Sequence, residues 1–192
     1  MRKIIFIILF LLSAHLTFGQ NCLGAQNSTL TPAGPYSPGQ TVTVTYTLNN
    51  FIQSYSNWIH CFDLDLGSGW STVTSISAPG NPSGATGYWL WDTQHTYTLP
   101  TPNLNFGPGW RFVNTGGYPN WGTSSTGPFT MSFQLTVDPS CTPQNLDINM
   151  KTYCDCQTGG WGSGFNCCNI VPFLIYSGTS LGSSGFAGLD NT

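Results

Sequence analysis

Strict period-two alternation restricts this chain more than any other feature. In Thr41-Val42-Thr43-Val44-Thr45-Tyr46-Thr47-Leu48 the apolar side chains point one way and the threonines the other. Phe129, Met131, Phe133, Leu135 and Val137 repeat the pattern in FTMSFQLTV. Strand side chains alternate between faces, whereas an amphipathic helix returns its apolar residues every three or four positions, so both runs read as half-buried antiparallel strands. A third run puts Trp58, His60, Phe62, Leu64 and Leu66 on one face and Ile59, Cys61, Asp63 and Asp65 on the other. Further strands are expected near Trp70 to Ser77, Gly87 to Leu99, Trp110 to Asn114, Leu146 to Tyr153 and Ile170 to Tyr176. Clusters such as Pro35-Tyr36-Ser37-Pro38-Gly39, Pro79-Gly80-Asn81-Pro82 and Thr115-Gly116-Gly117-Tyr118-Pro119 punctuate these runs as turns. The expected fold is all-β: an antiparallel two-sheet β-sandwich of about eight strands, Greek-key or jelly-roll-like and disulfide-containing.

The first residues have a different character. Arg2 and Lys3 precede the apolar run Ile4 to Leu12, and Thr17-Phe18-Gly19 supplies small residues before Gln20. That is the layout of a secretory signal peptide over 1–19, and roughly ten apolar residues are too few to span a bilayer, which takes about 20. The residues before Cys22, Gly19-Gln20-Asn21, do not form a lipobox. Residues 20–177 are expected to form a single sandwich domain, followed by a Gly/Ser-rich tail or linker over 178–192. No transmembrane span is expected in the mature chain.

All seven cysteines (Cys22, Cys61, Cys141, Cys154, Cys156, Cys167 and Cys168) follow the cleavage point, so in an exported chain disulfides are the default expectation. A cross-linked hairpin between Cys154-x-Cys156 and Cys167-Cys168 fits the glycine-rich stretch between them, but connectivity cannot be read from spacing. Zinc motifs space their thiols two to four residues apart, and neither pair does. An odd count leaves one thiol unpaired within the chain.

Charge excludes one class of partner. Beyond the leader only Arg111 and Lys151 stand against seven Asp, a net charge of −5 (2 − 7). Nucleic-acid binding needs clustered cations to displace phosphate counterions, so nucleic acid is not an expected partner. Ser, Thr, Asn and Gln make the surface polar without charge, suited to contact with other polymers or with copies of the same chain.

Several segments together suggest a family. Asn57-Trp58-Ile59-His60, Gly67-Ser68-Gly69-Trp70 and Gly107-Pro108-Gly109-Trp110-Arg111-Phe112, with Ser37-Pro38-Gly39-Gln40, Gly159-Gly160-Trp161 and Cys167-Cys168, resemble secreted Bacteroidota surface β-sandwich modules of the gliding- and adhesin-associated type. The resemblance implies a non-catalytic extracellular module with a structural or adhesive role, and it carries over no catalytic residue. Members of that group have a C-terminal sorting domain; the residues after Cys168 do not resemble one. The expected location is secreted or cell-surface, with the periplasm also open.

Seven tryptophans raise a second reading, carbohydrate binding through exposed rings, with polysaccharide as the partner. In Gly87-Tyr88-Trp89-Leu90-Trp91, Trp89 and Trp91 share one strand face and Tyr88 and Leu90 the other. Rings on that strand either stack on sugars or fill the core. Trp110 and Trp121, set among glycines and prolines, are expected in exposed loops, and with Tyr118 nearby in sequence the candidate ligand residues are Trp89, Trp91, Trp110, Tyr118 and Trp121.

Glycoside hydrolysis, the third reading, needs two carboxyl groups, and Asp63 and Asp65 share a strand face. With no Glu in the chain, an acid would have to be an Asp of raised pKa. The same pair could instead be a solvated face or part of a calcium site, the only cofactor considered for this chain. His60 and His95 are too few for a zinc enzyme, and His60, alternating with Trp58 and Phe62, reads as a hydrogen-bonded core histidine. No catalytic residue is expected.

Overall fold

A computed structural model describes residues 23–52, 58–80, 86–97, 104–116, 121–140, 142–155 and 172–181. Among these residues every regular element is a strand: β1 (Gln26–Thr31), β2 (Thr41–Leu48), β3 (Ile59–Leu66), β4 (Trp70–Ser77), β5 (Gly87–Asp92), β6 (His95–Tyr97), β7 (Leu104–Phe106), β8 (Gly109–Asn114), β9 (Phe129–Val137), β10 (Ile148–Cys154) and β11 (Phe173–Tyr176). They form a four-stranded sheet in the order β1-β2-β9-β4, a five-stranded sheet in the order β11-β10-β3-β8-β5, and a two-stranded ribbon, β6-β7. All pairings are antiparallel.

Alternation sets the registers. Val42, Val44, Tyr46 and Leu48 on β2 lie opposite Leu135, Phe133, Met131 and Phe129 on β9, and all eight are buried. Across the second sheet Phe62 lies opposite Trp110 on one side and Thr152 on the other. The two inner faces meet ring to ring: Phe62 and Trp89 reach Phe129 at 5.7 and 5.9 Å, and Trp110 reaches Phe133 at 5.7 Å. The sheets therefore pack face to face as a sandwich around one core. Each fully buried ring contributes about 1.5–3 kcal/mol, which lets a chain with few charges hold together.

Several expected boundaries move. The run expected from Gly87 to Leu99 breaks after Asp92, because the Asp92 carboxylate accepts the Gln94 N–H at 3.2 Å and turns the chain. β1 and β7 were not expected. The strand over Trp58 to Leu66 is two-sided: Cys61 and Asp63, on its outer face, are buried as well as Phe62 and Leu64. The stretch expected as a linker begins inside the body, since Ser180 N–H donates to the Gln144 carbonyl and Leu181 N–H to the Tyr36 carbonyl.

The expected leader over 1–19 and the tail beyond 181 lie outside the described residues, as do Cys22, Cys141, Cys156, Cys167 and Cys168. Among the described residues, no helix is long and apolar enough to cross a membrane. Cys61 is a buried, unbridged thiol, a correction to the expectation that it enters a disulfide. It sits on the outer face of β3 opposite Arg111 and Tyr153, positions that carry no thiol.

Candidate functional site

Among the described residues the aromatic candidates do not form a platform. Trp89 is buried in the core, edge-on to Phe112 at 5.3 Å. Trp91, half-buried, abuts Trp110 at 4.6 Å and 75°. Trp110, expected in an exposed loop, is fully buried in β8. Its glycine neighbour explains the error: a Cβ on Gly109 would lie 2.1 Å from the Phe62 carbonyl oxygen, so this glycine allows close strand approach and does not mark a loop. Trp121 is half-buried and edge-to-face with Trp58 at 5.9 Å. Tyr118 lies outside the described residues.

What the sandwich does display differs sharply between its two outer faces. On the four-stranded sheet, Thr41, Thr43, Thr45 and Thr47 of β2 lie beside Thr136, Gln134, Ser132 and Thr130 of β9. Asn27, Thr29 and Thr31 extend the array onto β1, and Thr72 and Thr74 extend it onto β4. Neighbouring hydroxyls bond across the strands, Thr47 to Thr130 at 3.0 Å and Ser77 to Ser132 at 2.9 Å. None of these side chains is charged. Because β-branched side chains are stiff at χ1, the array is ordered before anything touches it.

The five-stranded sheet carries the charge. Asp63 and Asp65 share its outer face as the alternation requires, and so do Arg111, Lys151 and Asp92. Lys151 Nζ reaches Asp65 at 2.8 Å, and Arg111 Nε donates to Asp92 at 3.1 Å. Asp63 is only 7% exposed; its carboxylate accepts the Gly107 N–H at 2.7 Å and bonds the Tyr153 hydroxyl. Burial pushes the Asp63 carboxyl above the usual carboxylate range, against the Gly107 hydrogen bond and the Lys151 charge, which pull it down. Burial and the neighbouring Asp63 charge raise Tyr153, and the Cys61 thiol is raised for the same two reasons. The carboxylates considered for calcium are thus engaged by donors of the protein itself. Among the described residues no three His, Cys or Asp side chains gather as a metal cage.

Sequence reasoning missed the aromatic that is displayed, Tyr88, which is 51% exposed on the outer side of β5 beside Leu90 at 38%. The alternation had placed both opposite Trp89, and only the direction of the core was lacking. Along the same strand, Asp92 leads into a hollow of about 230 Å³ lined by Thr93, Gln94, Asn105 and Gly107. Comparison of the chain with family models, curated proteins and solved structures gives no match.

Proposed function

We propose that this chain is a secreted or cell-surface, non-catalytic β-sandwich module with a structural or adhesive role. The uncharged threonine array on the four-stranded sheet carries the reading. An exposed sheet face ordinarily mixes charges of both signs. Here, among the described side chains of that face, hydroxyls and amides cover four strands, while the charged pairs sit on the opposite sheet. Such a face makes many weak, salt-insensitive contacts with a broad polymer surface. The leader layout and the resemblance to Bacteroidota surface modules support the same location. Disulfides among the cysteines outside the described residues remain part of the proposal.

Mature chain coupled to beads tests this by retention on polymer-coated surfaces under flow. Retention is expected to exceed that of an unrelated β-sandwich and to change little between low and high salt. Thr43→Lys with Thr45→Lys, which places two charges mid-array, should reduce it several-fold. Retention no better than the control, or retention abolished by salt, rejects the adhesive reading.

Carbohydrate binding is the second reading. Tyr88, exposed on β5 of the other sheet, the strand that leads into a polar hollow, favours it.

A further inference from the structure

We propose that the outer side of β5 and the hollow at its end form one binding site for an uncharged oligosaccharide. The proposal deepens the carbohydrate reading above and is independent of the threonine face. Three observations meet there.

The first is an exposed ring beside an exposed aliphatic side chain. Tyr88 and Leu90 project outward from β5, next to Val113 and Arg111 on β8. A half-exposed phenol offers a ring face to the C–H face of a pyranose and keeps its hydroxyl available for hydrogen bonding.

The second is a polar hollow just beyond the end of β5. Thr93, Gln94 and Asn105 line it with exposed hydroxyl and amide groups, the donors and acceptors that sugar hydroxyls pair with. Its floor is fixed. Gly107 adopts φ +127°, and a Cβ there would lie 2.5 Å from the Thr93 carbonyl oxygen. Its N–H is held by Asp63, and Asp92 holds both the Gln94 N–H and Arg111. Thr96 Oγ1 donates to Asn105 Oδ1 at 2.8 Å, which orients that amide and leaves its NH2 to donate to a ligand.

The third is charge. Asp92 neutralises Arg111, Asp63 lies behind Gly107, and the chain beyond the leader carries −5 (2 − 7). Uronic acids and sulfated sugars would be repelled, so the ligand is neutral. Tyr88 and Asp92 stand four residues apart on one strand, about 13 Å, so the site spans an oligosaccharide and not a single sugar.

The experiment is affinity electrophoresis of the intact mature chain through gels containing β-glucan, xylan, mannan or galactan, with pectin and a sulfated galactan as anionic counterparts. Retardation by at least one neutral polysaccharide is expected, competed by its tetrasaccharide better than by its monosaccharide. Tyr88→Ala and Asn105→Ala should each weaken it about tenfold at an unchanged thermal midpoint. Leu174→Ser, exposed on β11 at the edge of the same sheet farthest from β5, should leave it unchanged. Migration unaffected by every neutral polysaccharide overturns both this site and the carbohydrate reading. Retardation insensitive to both substitutions, or confined to the anionic gels, overturns the site or its ligand class while sugar binding itself stands.

Discussion

Asp63 shows how one side chain ties the charged face to acidity. Its folded-state pKa is raised, so between the ordinary aspartate value and that raised value the folded chain binds more protons than the unfolded one. Stability therefore falls as pH rises through this window. Asp138 and Asp147 act in the opposite sense, because hydrogen bonds from Ser140 and Ser177 hold them below the usual range. Their contribution is present above the ordinary value and is lost as pH falls through their lowered values. Thermal midpoints across acidic pH should thus peak near the ordinary aspartate value, and Asp63→Asn should flatten the descent on the less acidic side. Trp110→Ala, emptying a fully buried site, should cost about 3–5 kcal/mol in urea unfolding. A loop tryptophan would cost almost nothing, so the measurement separates core from loop. The sequence hid this, because Gly107-Pro108-Gly109 has the composition of a turn and only the position of the Phe62 carbonyl reveals what Gly109 is for.

At the level of elements, legibility tracked amphipathicity. β2 and β9 were plain because each has one wholly apolar face. β1 was not, since its inward positions are Gln26, Ser28 and Leu30; as an edge strand it is half-buried and needs little apolar surface. The break between β5 and β6 was hidden because it depends on a side-chain hydrogen bond at Asp92 and not on a glycine or proline. The direction of the Trp89 face was unreadable for another reason: alternation says which residues travel together and never which set meets the core. Gly109→Ala tests the close approach of β8 and β3. Its Cβ would collide with backbone, so a loss of about 1–3 kcal/mol is expected in the same unfolding assay.

For the whole molecule, two sheets and a polar exterior were legible, but the segregation of charge was not. It emerges only when β3, β8 and β10 are set side by side, which brings Arg111 and Lys151 to one face from 40 residues apart in the chain (151 − 111). The C-terminal limit of the body was also misplaced. Ending the chain at Ser177 would remove the Ser180 and Leu181 hydrogen bonds and should lower the thermal midpoint of the purified domain. The placement of β9 also governs how such a molecule comes into being. It lies between β2 and β4, and its Thr136 meets Thr41 from 95 residues away, so the four-stranded layer has no middle until most of the polypeptide exists. Only the β1-β2 hairpin of that layer can form locally; its other pairings wait for β9. Refolding followed by tryptophan fluorescence should therefore take milliseconds to seconds, as for other topologies dominated by distant pairings. Closure of that layer is thus timed by the arrival of one late strand.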